Sequence, residues 1–155
     1  MENKTHIHAE TGKQEIMITR EFDLPVKLLF KAYVEPEIVA QWMNTKVLKL
    51  ESKKHGAYAF ETTDPMGNKH GFNGTIHEFV EEEKITRTFE MENTPFEPWL
   101  EYLQFEQLSD DTSKLTMHVI YKSVEQRDQL LKMPFAQGIN MAHNRIQEIL
   151  SHLKK

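Results

Sequence analysis

The sequence predicts an α+β fold in which a curved antiparallel sheet of seven strands wraps around one long C-terminal helix, with two short helices between strands 1 and 2. Three observations support this prediction. Apolar and polar side chains alternate in seven separate segments, which is typical of strands with one buried face. Turn-forming residues separate the last six of these segments. From Pro134 onward, apolar residues recur every three or four positions, as in an amphipathic helix.

The first strand and the two short helices are predicted between residues 14 and 42. Side chains alternate between apolar and polar over residues 14–22. Pro25 follows closely and marks the start of a helix, because proline is accommodated in the first helical turn. Residues 35–37, Glu-Pro-Glu, repeat this start signal for a second short helix. The two helices therefore form an elbow after the first strand.

Six more strands are predicted from the alternation that follows the elbow. Clusters of turn-forming residues, such as 64–68, interrupt the alternation where the chain reverses. The predicted strands are 46–51, 56–63, 69–80, 84–91, 99–108 and 113–122. Consecutive strands joined by short turns form an antiparallel meander with one apolar and one polar face.

The C-terminal helix provides a cover for the apolar face of that sheet. Its apolar stripe consists of Phe135, Ile139, Ala142, Ile146, Ile149, Leu150 and Leu153. Residues 124–133 precede it as a shorter helix or a loop. We expect one domain over residues 14–155, preceded by a mobile N-terminal segment at residues 1–13.

Composition excludes several classes of protein. The chain has 155 residues, enough for one domain, and its net charge of −5 has the wrong sign for a surface that binds nucleic acid. It has no cysteine, so disulfides, thiolate metal sites and thiol nucleophiles are excluded. Because the longest apolar runs are short and the first residues are polar, neither a membrane span nor a signal peptide is expected. We therefore expect a cytoplasmic protein.

Short motifs occur in the same order as the predicted elements. They are Ile18-Thr19-Arg20-Glu21-Phe22-Asp23-Leu24-Pro25, Tyr33 with Pro36, Trp42, Gly56 with Tyr58 and Phe60, Asp64-Pro65-x-Gly67, Gly74-x-x-x-Glu78, and Lys84-Ile85. Together with the helix-grip order of elements, they make the chain resemble the START/SRPBCC (birch-allergen-like) superfamily over about residues 15–153. Within it, the chain resembles the family related to the C-terminal domain of the activator of the ninety-kilodalton heat-shock chaperone ATPase.

This resemblance implies a hydrophobic pocket between the sheet and the C-terminal helix, which some relatives use for lipids or polyketides. It also implies a link to chaperones and the stress response, because eukaryotic relatives bind a chaperone. It brings no shared catalytic set, and we expect no cofactor. The chain departs from the family at two places, where His55-Gly56 replaces a pair of glycines and Arg87 replaces an apolar residue.

Strand parity and the stripe of the C-terminal helix predict which side chains line the space between the sheet and that helix. The expected cavity-lining, ligand-binding residues are Trp42, Tyr58, Phe60, Phe72, Ile76, Arg87, Phe89, Trp99, Glu101, Leu103, Phe105, Met117, Val119, Tyr121, Met141 and Arg145. The chain contains nine Phe, four Tyr, two Trp and eight Met, so wide and adaptable side chains dominate this set. The sequence leaves open whether they fill a packed core or surround a ligand pocket.

Arg87 stands out because it lies between Ile85 and Phe89 on the apolar side of its strand. A buried guanidinium needs a partner, and Glu101 on the next strand is within diagonal reach. One hypothesis is a structural ion pair, or an arginine that extends to the cavity mouth. The other is that Arg87 binds a carboxylate or phosphate head group whose apolar tail lies along Phe60, Phe105 and Met117.

Other candidate sites have weaker support. His6 and His8 could hold a metal only weakly, since no third ligand is visible, and no metal site is predicted. Phe96 and Trp99 flank a turn, where they either form a lid or partner contact at the cavity mouth or are buried under the elbow. No residue is assigned as catalytic. An enzyme would use Arg87, Glu101, Tyr102, Tyr121 or a histidine as its acid–base groups.

The sequence therefore favours a cytoplasmic protein that binds a hydrophobic or amphiphilic small molecule. Two alternatives stay open. One is a stress- or chaperone-related protein with a protein partner, and the other is an enzyme of the cyclase or hydrolase type that uses the same cavity.

Overall fold

The computed structural model describes residues 3–154, which form eight strands and four helices. In chain order these are β1 (His6–His8), β2 (Glu15–Phe22), α1 (Val26–Val34), α2 (Pro36–Trp42), β3 (Lys46–Leu50), β4 (Ala57–Thr63), β5 (Lys69–Val80), β6 (Lys84–Met91), β7 (Trp99–Gln107), β8 (Ser113–Ile120), α3 (Val124–Lys132) and α4 (Phe135–Ser151). Residues 1–2 of the expected N-terminal segment and residue 155 of the expected domain lie outside the described residues.

The strands form one antiparallel sheet in the order β1-β2-β8-β7-β6-β5-β4-β3. Strands β3 to β8 form the predicted meander, and β2 pairs with β8 from one end to the other. The predicted number of seven strands is wrong, because His6–His8 adds an eighth strand at the sheet edge, with His6 opposite Thr19 of β2. Three residues are too few to show an alternation, so this strand depends on its neighbour and not on a local pattern.

The remaining strand boundaries agree with the predicted ones to within two residues. Residues 124–133, for which both a helix and a loop were considered, contain helix α3. Ser123 caps this helix, because its hydroxyl oxygen accepts a hydrogen bond from the backbone N–H of Gln126 at 3.1 Å.

Irregular pairing bends the sheet. The register shifts between β3 and β4 at residues 47–49 and between β5 and β6 at residues 76–78, as in β-bulges. Gly74 on β5 lets the Thr88 carbonyl oxygen and the Tyr58 hydroxyl approach its backbone closely, because a Cβ there would overlap both groups. Without that Cβ, the Tyr58 hydroxyl donates a hydrogen bond to the Thr88 carbonyl.

The elbow of α1 and α2 covers one part of the apolar face. The ring centroid of Phe30 on α1 lies 5.0 Å from that of Phe105 on β7 and 5.5 Å from that of Phe79 on β5. At the end of α2, the buried Trp42 donates from Nε1 to the carbonyl of Ala32 at 2.6 Å, which holds the two helices together. The protein's own side chains therefore fill this part of the sheet face.

Helix α4 packs against α1, α2 and α3, and its N-terminal half faces the sheet across a cavity. Ile146 and Leu150, in its C-terminal half, are fully buried in the core. Within residues 3–154, no helix combines the length and the apolar character that crossing a bilayer requires.

Candidate functional site

A cavity of about 480 Å³ separates the sheet from the N-terminal half of α4. This volume falls in the range of roughly 300 to 1,000 Å³ that is usual for small-molecule sites. Its wall consists of Ile18, Tyr33, Trp42, Met43, Phe72, Arg87, Phe89, Met91, Trp99, Glu101, Met117, Val119, Tyr121, Phe135, Gly138, Ile139, Ala142 and Arg145. The space beneath α4 is therefore only partly filled by side chains.

Ten of the sixteen residues predicted to line a cavity lie on this wall. They are Trp42, Phe72, Arg87, Phe89, Trp99, Glu101, Met117, Val119, Tyr121 and Arg145. Strand parity identified most of them, because alternate residues of a strand point to the same face. Their part in ligand binding stays a prediction.

Five predicted residues are buried outside the wall, namely Tyr58, Phe60, Ile76, Leu103 and Phe105. Phe105 shows the reason, because its ring meets those of Phe30 and Tyr33 on α1 and leaves no room for a ligand. The predicted ligand tail along Phe60 and Phe105 is therefore not supported. Parity indicates the face on which a side chain lies, but not what covers that face.

The sixth residue, Met141, is 50% exposed and lies outside the cavity wall. It precedes Ala142 by one residue, and one residue turns a helix by about 100°. Eight wall residues were not in the predicted set: Ile18, Tyr33, Met43, Met91, Phe135, Gly138, Ile139 and Ala142. Three of these, Phe135, Ile139 and Ala142, belong to the predicted apolar stripe of the helix, so that stripe would have identified them.

Arg87 and Glu101 form a buried ion pair on the cavity wall. They are directly opposite each other on β6 and β7, not diagonal as predicted. Nε of Arg87 donates to Oε1 of Glu101 at 2.9 Å, and Nε1 of Trp99 donates to Oε2 at 2.9 Å. Both carboxylate oxygens are thus engaged. Because Arg87 is only 8% exposed and Glu101 only 6%, bulk water solvates neither charge well, and the two groups must stabilise each other.

Three aromatic rings surround the Arg87 guanidinium. Its Cζ lies 5.2 Å from the ring centroid of Tyr58 and 5.8 Å from those of Tyr33 and Phe89. Such cation–π contacts offset part of the cost of burying the charge. Within residues 3–154, Nε is the one hydrogen-bonded group of this guanidinium, and both Nη groups are without an acceptor.

Two tyrosines of the cavity wall carry hydroxyls that are available for hydrogen bonding. Those of Tyr33 and Tyr121 have no hydrogen-bond partner among the described residues, whereas that of Tyr58 is taken up by the Thr88 carbonyl. Burial raises the pKa of Tyr33 and of Tyr121 well above the ordinary value of a phenol. These phenols therefore stay neutral around pH 7.

The cavity has a buried polar end and an apolar mouth. Its polar groups adjoin one another, because Glu101 links Arg87 to Trp99, and the Trp99 ring lies 5.3 Å from that of Tyr121. The mouth is formed by half-buried apolar residues, namely Met43, Phe72, Met91, Phe135, Ile139 and Ala142. Arg145 is exposed there, and its Nε donates to the carbonyl of Trp42 at 2.8 Å.

The remaining candidates from the sequence are Tyr102, the histidines, the turn with Phe96 and Trp99, and a metal site. Tyr102 is 43% exposed, and none of the cavity-wall residues is a histidine. Trp99 is buried and stacks on Phe89 with ring centroids 5.2 Å apart, so it does not form an exposed lid with Phe96. Among residues 3–154, no three His, Asp or Glu side chains lie close enough to hold a metal ion.

The bent antiparallel sheet, the two-helix elbow and the cavity under a C-terminal helix define a START-like helix-grip protein, as the sequence resemblance indicated. The chain belongs to the family described as "Activator of Hsp90 ATPase homolog 1-like protein", whose model matches residues 23–151. No curated relative matches it.

Solved structures with low sequence identity share this fold. Protein Ms6760 from Mycobacterium smegmatis is 21% identical with a TM-score of 0.83, and the match covers 94% of this chain and 95% of that one. A protein from Rhodobacter sphaeroides is 19% identical with a TM-score of 0.86, covering 96% and 99%. A protein from Staphylococcus epidermidis is 19% identical with a TM-score of 0.80, covering 96% and 95%.

Proposed function

We propose that this protein binds one hydrophobic or amphiphilic small molecule, lipid-like or polyketide-like in character, in the cavity beneath α4. The observation that carries this proposal is the unfilled space of about 480 Å³ between the sheet and the helix. Protein interiors are normally close-packed, and an apolar wall without contacts loses dispersion energy. A ligand with an apolar body would restore those contacts.

The chemistry of the wall favours binding over proton transfer. Among the residues that the structure describes, Glu101 is the one carboxylate on the wall, and each of its oxygens accepts a hydrogen bond. Tyr33 and Tyr121 stay protonated because burial raises the pKa of both phenols. A general base must reach a proton of the substrate, whereas the Glu101 carboxylate is held towards Arg87 and Trp99 and both phenols keep their protons.

The proposal can be tested by filling the cavity from α4. Ala142 is half-buried on the wall, so Ala142→Phe would place a ring in the space that the ligand needs. Met141 is the preceding residue on the exposed side of the same helix, so Met141→Phe is the matched control. Each protein would be titrated with a panel of long-chain alcohols, ketones, acids and polycyclic aromatics by calorimetry and thermal unfolding.

We expect ligands from the panel to stabilise the unmodified protein and the Met141→Phe variant. By mass action, a ligand at about 100 times its Kd adds about 2.7 kcal/mol to the free energy of unfolding. The Ala142→Phe variant should fold and show much weaker binding. The proposal fails if no ligand in the panel binds, or if ligands bind equally well to the Ala142→Phe variant.

A further inference from the structure

The charge of Arg87 is already neutralised at the inner end of the cavity. The carboxylate of Glu101 contacts Nε of Arg87 at 2.9 Å, and both residues are buried. The other cationic wall residue, Arg145, is exposed at the mouth. A ligand carboxylate placed against Arg87 would therefore add a second buried negative charge without a second buried cation. Such a charge is costly to desolvate.

The inner end nevertheless has unused hydrogen-bond donors. Neither Nη group of Arg87 has an acceptor within residues 3–154, and a guanidinium can only donate. Tyr33 and Tyr121 line the same cavity, and their hydroxyls have no partner among the described residues. An apolar chain placed against these groups would leave them buried and unpaired, which is unfavourable. An uncharged oxygen would satisfy them and add no charge.

We propose that the inner end of the cavity binds a neutral hydrogen-bond acceptor, such as a ketone or ester carbonyl, and that Glu101 is the residue that excludes carboxylates. The ligand enters with this group first, and its apolar body lies along Phe72, Met91, Phe135 and Ile139 at the mouth. This inference rests on the proposed function, because it specifies the ligand class of the same cavity. It replaces the hypothesis of an anionic head group on Arg87.

Calorimetry with two matched probes tests the inference. One is 2-undecanone, which carries a terminal methyl ketone, and the other is decanoate, a carboxylate of similar length, both at pH 7.5. In the unmodified protein we expect 2-undecanone to bind about tenfold more tightly or better, because the decanoate carboxylate would be a buried charge without its own cation. Tighter binding of decanoate would overturn the inference, whatever any variant does.

The Glu101→Gln variant should remove the preference for the ketone. The amide is nearly isosteric and can accept from Trp99 or Arg87, but it leaves the Arg87 charge uncompensated. We expect the affinity for decanoate to rise about tenfold or more and the affinity for 2-undecanone to change little. Glu106→Gln is the control, because it makes the same change on the exposed face of β7 and should leave the ratio of the two affinities unchanged. An unchanged ratio in Glu101→Gln, or a changed one in Glu106→Gln, would contradict the assignment.

The result also separates the two proposals. If neither probe nor any molecule of the wider panel binds the unmodified protein, the proposed function fails, and the inference fails with it. If molecules of the panel bind but the ketone has no advantage over the carboxylate, only the inference fails. The comparison of 2-undecanone with decanoate in the unmodified protein tests the inference even if Glu101→Gln does not fold.

Discussion

A decrease in pH from 7 to 5 should destabilise the folded protein through His143 on α4. This residue is fully buried, its Nδ1 lies 2.7 Å from the hydroxyl oxygen of Thr5, and its Nε2 has no hydrogen-bond partner among the described residues. Phe22 packs edge-on against the ring. Burial first, and then the positive charge of Arg20, lower the pKa of His143 to about 3 from an ordinary value of 6.5.

The magnitude follows from proton linkage. Between pH 6.5 and about pH 3 the unfolded chain binds a proton at this histidine that the folded chain does not bind. The free energy of unfolding is therefore highest above pH 6.5, where the ring is neutral in both states, and it decreases as the pH falls. Each pH unit in this window removes about 1.4 kcal/mol from the free energy of unfolding, so the loss at pH 5 is about 2 kcal/mol.

Urea unfolding at pH 7, 6 and 5 measures this loss. His143→Asn provides a side chain that can still hydrogen-bond to Thr5 but cannot titrate, so it should lower stability at every pH while removing about 2 kcal/mol of the pH-dependent loss. His77→Asn on the exposed face of β5 is the control and should behave as the unmodified protein. If His143→Asn loses as much stability between pH 7 and pH 5 as the unmodified protein does, the reasoning is refuted.

Two further predictions concern stability at neutral pH, both measured by urea unfolding. Gly138 lies within α4, and a Cβ built on it meets no atom within 4 Å. Gly138→Ala should therefore raise the free energy of unfolding by about 0.5–1 kcal/mol. A decrease would show that glycine is required there. Arg87→Met should cost about 3–5 kcal/mol because it leaves Glu101 buried without its cation, whereas the double variant Arg87→Met/Glu101→Gln should lose clearly less. Equal losses in the single and double variants would show that the ion pair is not coupled.

At Arg87, the sequence predicts the ion pair but not the full hydrogen bonding of its partner. Its position on the apolar side of β6 required a buried partner, and the neighbouring strand offered Glu101, so the pair could be predicted. The second bond of Glu101, to Nε1 of Trp99, depends on side-chain geometry at the start of β7, which the sequence pattern does not specify. The position of the Glu101 carboxylate between Trp99 and Arg87 determines whether the guanidinium can pair with an anionic ligand.

The cavity wall shows a similar division. Parity placed Phe89 and Phe105 on the same face of the sheet, and both are buried. Yet Phe89 lines the cavity, whereas Phe105 packs under α1. The difference arises from where the elbow rests on the sheet, and that contact joins Phe30 and Phe105, which are 75 positions apart in the chain. The alternation of side chains along a strand does not indicate where the elbow will pack.

Alternation, helical spacing, turn residues and short motifs are enough to predict the α+β class, the order of the main elements, the limits of seven strands to within two residues and the family. The formation of β1, the filling of one part of the sheet face by the elbow, and the cavity of about 480 Å³ beneath α4 depend on tertiary contacts. Local patterns record only which side of an element is apolar. Pairing at an edge, the depth of packing and the balance of buried charges depend on which distant surfaces meet.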